Sequence, residues 1–541
     1  MRDQNHSLEG NKEERIASAS SHPSIFNDVI GPVMRGPSSS HCAAAFRIGK
    51  IAWEIMDGDI ESIIFEFDPN GSLATTHTNQ GSDMGLFGGL LGYDIQDKRL
   101  VNAEKTIQEA NIDVEMRTAE IGDEHPNKYK LTLENSEEKH SITAISKGGG
   151  MIEITGIDDI PVSIEGDCYE TLIWVEEEID EIRDYLDDHV EFDAISSKSS
   201  SGTYLIEIKS QKVLENKILN RLKDDLNINT IKEISPVLPV LSRKGLDVPF
   251  RNSEEMKEYN EEKNLELYEL AVEYEKERGN ISENEVFDMM KEIIEVMHDS
   301  IDKGLEGTEF DDRVLGYQSG HFLEKMKEQK LLSGDLLNYI TLYTTAMMEM
   351  KSSMGVIVAA PTAGACGVLP GAVLGAAKAI GASIEKQTEA MLAAGLIGVF
   401  IANGSTFSAE VGGCQAECGA ASGMAAPALV TLAGGTLNQA VNASSIALQN
   451  IFGMTCDPVA NRVEVPCLGK NVMGATNALI SANMALADFD PVIPLHEVIL
   501  AMDKVGKSLP RELRCTSLGG LSVTPTSKNI EKELKENKES K

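Results

Sequence analysis

The chain reads as a multidomain protein, with an α+β N-terminal domain, a small α+β unit after it and an all-α C-terminal domain. Three observations predict this. The 541 residues exceed what one ordinary core accommodates. Strand-like alternation, as in "SIIFEFDP" and "KYKLTLEN", is confined to the part before residue 216. Beyond it, apolar residues recur at helical intervals between charges or Gly-rich turns, as in "EEMKEYNEEKNLELYELAVEYEKERGN" and "MLAAGLIGVFIANG".

Residues 1–23 are polar and lack the apolar core of a secretory signal, which predicts a disordered tail on a chain that stays in the cytoplasm. From 24 to 160 helix and strand signals mix: "HCAAAFRIGKIAWEIM" and "KRLVNAEKTIQEANI" have helical spacing, and "SITAISKGGGMIEITGI" is strand-like. Between 161 and 215 come "ETLIWVEE", the amphipathic "IDEIRDYLDD" and "GTYLIEIKS": strand, helix, strand. The region 216–525 is predicted helical throughout. Residues 526–541, "TSKNIEKELKENKESK", read as a frayed polar tail.

A formal net charge of −37 argues against a nucleic-acid groove or an anionic membrane surface, since either partner would be repelled. Such acidity also suits a salty cytoplasm, although Lys outnumbers Arg. The most apolar runs are too short to span a bilayer or, in "MGVIVAAPTAGACGVLPGAVLGAAKAIGASI", are broken by Pro361, Pro370 and repeated Gly. They predict buried helices of a soluble domain.

Six of the eight cysteines fall between Cys366 and Cys515. In a reducing cytoplasm they predict metal or catalytic work, or simple packing, rather than disulfides. Cys414, Cys456 and Cys467 each sit beside Gly, Pro or Asp in a turn. Their wide spacing matches neither a zinc ribbon nor a ferredoxin run. Three dispersed thiolates suit a [4Fe–4S] cluster with one iron left open, and spacing alone leaves the alternatives standing.

"EVGGCQAECGAASGMAA", "CDPVANRVEVPC" and "APTAGACGVLPGAV" resemble the cluster and substrate segments of the iron–sulfur L-serine dehydratases (L-serine ammonia-lyases). "IFNDVIGPVMRGPSSSHCAAAFRIG" and "GSLATTHTNQGSDMGLFGGLLG" resemble the β-chain segments of the same family. The resemblance runs from about residue 25 to 525 and implies a fused chain in the order β, small regulatory unit, α. It implies Cys414, Cys456 and Cys467 as ligands of a [4Fe–4S] cluster, L-serine as substrate and a homodimer. Ser38, Ser39, Ser40, Thr362 and Gly364 are then substrate-binding, Ser38 to Ser40 doubling as a helix cap. Cys366 and Cys418 are spare, packed thiols.

The implied reaction removes the α-proton of L-serine and expels hydroxide, giving pyruvate and ammonia. His41, which matches a family histidine, and His77 are the candidates for the base, since imidazole titrates near neutrality. The match departs from the family at Gln80, where a histidine is usual, and at Cys515, where an acid is usual. The chain also continues past the position at which some members end in a cysteine. The 161–215 unit resembles an ACT domain in position but lacks a Gly-containing ligand turn. Competing expectations are cysteine desulfidation or threonine dehydration on the same cluster, and a non-catalytic iron–sulfur redox sensor. No lysine motif beside a Gly-rich phosphate loop supports a pyridoxal phosphate enzyme.

Overall fold

The protein is described here by a computed structural model covering residues 22–122, 125–176, 179–226, 228, 230–332 and 334–539. The expected tail at 1–23 lies, apart from His22 and Pro23, outside the described residues.

Twelve strands occur among the described residues: β1 (Val33–Met34), β2 (Ser62–Phe67), β3 (Asp113–Thr118), β4 (Lys128–Glu134), β5 (Lys139–Gly148), β6 (Met151–Ile157), β7 (Ile160–Ile164), β8 (Tyr169–Val175), β9 (Ala194–Ser200), β10 (Thr203–Ser210), β11 (Thr230–Ile234) and β12 (Ile357–Val358). β2 to β7 form one sheet in the order β3-β2-β4-β5-β6-β7, parallel only between β2 and β3. The alternation of β2 and β4 turns Ile63, Phe65, Phe67, Tyr129, Leu131 and Leu133 inward. Against this face pack the helices Ala44–Ile55 and Ser82–Leu90.

Those two helices meet backbone to backbone. A Cβ at Gly85 would stand 2.0 Å from the Cys42 carbonyl oxygen, and one at Gly89 2.3 Å from that of Phe46. Gly85→Ala therefore has to pry the helices apart at the residue next to His41. Overpacking of this kind costs about 1–3 kcal/mol, so the first thermal transition falls measurably in calorimetry, whereas Gly316→Ala, with open space around it, leaves packing untouched.

β8 to β11 form a separate four-stranded sheet, order β11-β8-β10-β9, with every neighbouring pair antiparallel. Helices Ile179–His189 and Asn216–Asp224 cover it, so the element order is strand, helix, strand, strand, helix, strand. This corrects two expected boundaries. The border at 160/161 cuts through β7, which belongs to the larger sheet, and the small unit continues past 215 through a second helix to β11, whose Ile231 pairs with Ile173 of β8. The region 216–525 is accordingly not all helix: β11 lies in it, and β12 pairs with β1 at the other end of the chain.

From Ser253–Asn260 onward helices dominate. Ala420–Leu432 is buried along nearly its whole length among Ile384–Gly404, Leu437–Gln449 and Cys467–Leu486, which its Ala and Gly residues allow to approach. The apolar stretch Ala363–Ile380, long enough by composition to cross a membrane, is 83% buried within this core. The N-terminal segment enters it too: Ile25 and Val29 fill the space beside Gly395 and Gly398, and the Ile25 amide donates to Glu275 Oε2 at 2.8 Å. The expected frayed tail is instead the helix Pro525–Glu539. It docks because the buried Ser527 hydroxyl accepts the Ala460 amide at 2.9 Å.

Candidate active site

The segment "GPSSSH" ends in a wide helical turn, Ser39–Ala43, that runs straight into Ala44–Ile55. Such π-type turns recur at functional sites. β5 holds the turn, since the Ser146 hydroxyl donates to the Ser40 carbonyl at 2.7 Å. Ser38 occupies the cap position but makes no side-chain capping bond. Its hydroxyl lies 3.3 Å from His41 Nδ1 and 3.2 Å from Ser40 Oγ. Ser39 Oγ accepts the Ala363 amide at 3.1 Å, which joins this segment to "PTAGACG".

His41 is fully buried. Its Nδ1 lies 3.0 Å from Ser40 Oγ and 3.5 Å from Glu410 Oε1, and its Nε2 lies 2.8 Å from Thr76 Oγ1. Burial pushes the imidazole below its ordinary pKa, with Glu410 pulling the other way. Burial would raise the Glu410 carboxyl, but the His41 ring and the hydroxyls of Ser408 and Ser40 outweigh it and hold it below the usual range. The pair is thus a neutral imidazole beside a carboxylate. His77 stands apart and partly exposed: its Nδ1 is 2.7 Å from Asp83 Oδ1, its ring lies tilted against Phe67 with centroids 4.9 Å apart, and it borders a cavity of about 250 Å³.

Cys414, Cys456 and Cys467 are all buried; Cys418 bonds to Cys414 and lies in the field of Cys467, and Cys456 bonds to Cys515 and lies in the field of Cys414. Gly413, at φ 71°, turns the chain before Cys414, and the Gln415 amide pins the turn to the Met502 carbonyl and the Gly453 N–H. Cys456 pairs with the 513–515 segment: its N–H donates to Leu513 O at 2.8 Å, and the Cys515 N–H donates to Cys456 O at 3.0 Å. Cys467 begins the helix Cys467–Leu486, where the helix dipole favours a thiolate. Cys418 is pushed up chiefly by its hydrogen bond with Cys414, and Cys456 chiefly by that with Cys515. Burial pushes Cys467 up, against the pull of the Lys351 ammonium. Burial would lower Lys470, but Cys414 and Asp457 outweigh it.

Among the described residues no three His, Cys, Asp or Glu side chains converge on a point that could hold one metal ion. Thiolates sharing one ion must lie within about 4.6 Å of each other, twice a metal–sulfur bond of about 2.3 Å. Ligands of a cluster each take a different iron and stand further apart. Soft, buried sulfur donors flanked by two ammonium groups fit an iron–sulfur group, and its binding would displace their protons.

The sequence reading missed four side chains here. Glu410 is one. Glu417, half-buried and pushed up to about 7 chiefly by desolvation, accepts the Thr362 hydroxyl at 2.7 Å. A Cβ at Gly364 would come within 2.6 Å of its Oε1, so Thr362 and Gly364 are fitted to that carboxylate. Asn471 donates to Gly364 O at 2.8 Å and to Cys418 Sγ at 3.4 Å, tying the "PTAGACG" loop to the thiols. Lys351 is fully buried and donates to Val463 O. The available signal was two carboxylates, Glu410 and Glu417, flanking a thiol in a weakly charged stretch. Gln80 and Cys515, the two departures from the family pattern, touch each other: Gln80 Nε2 lies 3.5 Å from Cys515 Sγ and 3.0 Å from Asn461 Oδ1. Cys366 packs at 3.9 Å against Met348 Sδ, as expected of a spare thiol.

Residues 262–522 match the family model described as serine dehydratase alpha chain. The probable L-serine dehydratase alpha chain of Bacillus subtilis (strain 168) is 40% identical over 285 residues, 53% of this chain and 95% of that protein. The L-serine dehydratase alpha chain of Peptoniphilus asaccharolyticus is 36% identical over 274 residues, 50% of this chain and 94% of that one. L-serine dehydratase 1 of Escherichia coli (strain K12) is 33% identical over 284 residues, 51% of this chain and 62% of that one. The clustered thiols, the "PTAGACG" loop and the carboxylates Glu410 and Glu417 lie within the matched span, while His41, His77 and Gln80 lie before it. With nearly the whole length of two relatives accounted for, the chain belongs to the serine dehydratase alpha-chain family.

Proposed function

We propose that this chain is a single-chain L-serine dehydratase, eliminating water from L-serine to give pyruvate and ammonia. One observation carries this: a span 40% identical to nearly all of a probable L-serine dehydratase alpha chain brings its Glu410 to within 3.5 Å of a buried histidine supplied by the other half of the same chain. Cys414, Cys456 and Cys467 would hold a [4Fe–4S] cluster. When bound, that cluster supplies the Lewis acidity that a hydroxide leaving group needs.

The chain's own groups do the rest. Ser38, Ser39 and the amides of the "PTAGACG" loop offer donors to the substrate carboxylate, while Ser40 turns its hydroxyl to Glu410. His41, neutral because it is buried, accepts the α-proton. Burial of the site keeps water from competing for these contacts. The aminoacrylate product tautomerises to an imine, which water hydrolyses to pyruvate and ammonia without further catalysis. The four-stranded unit supports the ACT-like reading in its element order. We read the enzyme as a cytoplasmic homodimer.

The test is anaerobic purification with iron and sulfide counted, followed by assays of pyruvate from L-serine, 2-oxobutanoate from L-threonine and sulfide from L-cysteine. The expected result is a coloured, iron-containing protein with the highest kcat/KM on L-serine. Faster turnover of threonine or cysteine would reassign the substrate. A coloured protein inert on all three would favour the redox-sensor reading, and a metal-free, active protein would end the cluster assignment.

A further inference from the structure

We propose that Glu410, acting through Ser40, is a positioning residue that fixes the tautomer of His41 and leaves Nε2 as its proton-accepting nitrogen. This deepens the L-serine dehydratase reading and rests on it, with His41 as the base.

The inference follows from counting hydrogens. Ionised Glu410 has none to give. Its Oε1 accepts the Ser40 hydroxyl at 2.9 Å and its Oε2 the Ser408 hydroxyl at 2.7 Å. Ser40 owns one hydroxyl hydrogen, and Glu410 takes it. Toward His41 Nδ1, 3.0 Å away, Ser40 can then only accept; Ser38, 3.3 Å from Nδ1, has its own acceptor in Ser40 Oγ at 3.2 Å, and with the Ser38 hydrogen placed there Nδ1 carries the imidazole hydrogen. A neutral imidazole has a single N–H, which leaves the lone pair on Nε2.

Nε2 faces Thr76 Oγ1 at 2.8 Å, and that hydroxyl has a second acceptor in the Ser72 carbonyl at 2.7 Å. Its hydrogen can turn to Ser72 and free Nε2 for a substrate proton, with no buried donor stranded. The Cα–H bond of L-serine then breaks and its proton joins Nε2. The electron pair forms the Cα–Cβ double bond, and the β-oxygen departs as hydroxide. His41 later returns the proton to hydroxide, giving water.

Proton transfer converts a lone buried carboxylate into an ion pair, because the imidazolium faces Glu410 Oε1 at 3.5 Å from Nδ1. The stabilisation arises as charge develops, which is where it lowers the barrier. The other charged or titratable groups in this field are His77, which opposes protonation of His41, and His125, Tyr129 and Glu417, each of which senses Glu410. The bridge from Ser40 to Glu410 spans 370 residues of sequence, so the base is complete only when the N-terminal domain is docked on the helical one.

The test uses the anaerobic holoenzyme and four variants: Glu410→Gln, Ser40→Ala, His41→Ala and Glu410→Gln with His41→Ala. Expected for Glu410→Gln are a kcat lower by about a hundredfold, a KM within about threefold of wild type and unchanged iron content. The acid limb of kcat/KM should move to lower pH, because imidazolium loses its counter-charge. The double variant should be no slower than His41→Ala alone, since the two residues act as one unit. In ¹⁵N-histidine spectra, the resonances absent from His41→Ala should show a protonated Nδ1 in wild type and a tautomer mixture in Ser40→Ala. Should Glu410→Gln not fold, that spectrum decides alone. A normal kcat in Glu410→Gln beside an inactive His41→Ala overturns the positioning role and leaves the dehydratase reading intact. Loss of iron in Glu410→Gln also overturns it, placing the residue in the thiol site. A wild type that makes no pyruvate defeats the underlying reading before any variant is needed.

Discussion

Cys456→Ala, purified without oxygen, retains little of the wild-type iron and sulfide and forms pyruvate from L-serine more than about a hundredfold more slowly. That figure is the ceiling usually reached by removing a partner outside the metal's own ligands, so loss of a ligand has to exceed it. The paired control is Cys366→Ala. Both thiols are buried and sense Glu417, but Cys366 lies against Met348 whereas Cys456 sits in the field of two other thiols, Cys414 and Cys515. Cys366→Ala removes one sulfur from a packed core, which lowers stability slightly and leaves iron content and kcat unchanged. Cys515→Ala falls between the two, because Cys515 touches Cys456 and Gln80 without a ligand role of its own. Iron loss in Cys366→Ala as complete as in Cys456→Ala would sink the ligand assignment, since it would show that any damage to this core expels the metal.

The contrast between those thiols marks what the sequence can convey. Their clustering between Cys366 and Cys515 is visible in one dimension, and so is the "GPSSSH" motif, because short spacing and residue type carry chemical meaning directly. The role of Glu410 is not visible. Its partner lies 370 residues away, and its local setting, a carboxylate near a thiol in a weakly charged stretch, does not name that partner. The same limit explains the misplaced borders. Strand, helix and strand from 169 to 210 look complete as a unit, yet β8 is a central strand and needs β11 on its open side, and the pairing of Ile231 with Ile173 lies outside any local window. The C-terminal segment has the charge of a disordered tail. The helix packs on Val459–Asn461 and Gly520–Val523 and is tied down by the buried Ser527, contacts that composition does not reveal.

His41→Ala lowers kcat by about 10²- to 10⁴-fold, the usual contribution of a general base, whereas His77→Ala stays within about tenfold of wild type. The difference follows from surroundings rather than from the imidazoles themselves. His77 is held by Asp83 and Phe67 beside an open cavity, so its removal costs a hydrogen bond and some packing. His41 is sealed between the two halves of the chain, with a carboxylate behind one nitrogen and a yielding hydroxyl before the other. The pH profile adds a second, independent reading. A base must be neutral to act, and burial holds His41 below the ordinary imidazole value of about 6.5. The acid limb of wild-type kcat/KM therefore lies below about pH 6.5, with the rate level above it and falling as pH drops through the depressed value. In the unfolded chain His41 regains its ordinary affinity for protons. Acidification below about pH 6.5 thus also favours unfolding, and stability rises again as pH returns to neutrality. Equal losses in the two single variants would remove His41 from the base position and leave Glu410 with nothing to orient.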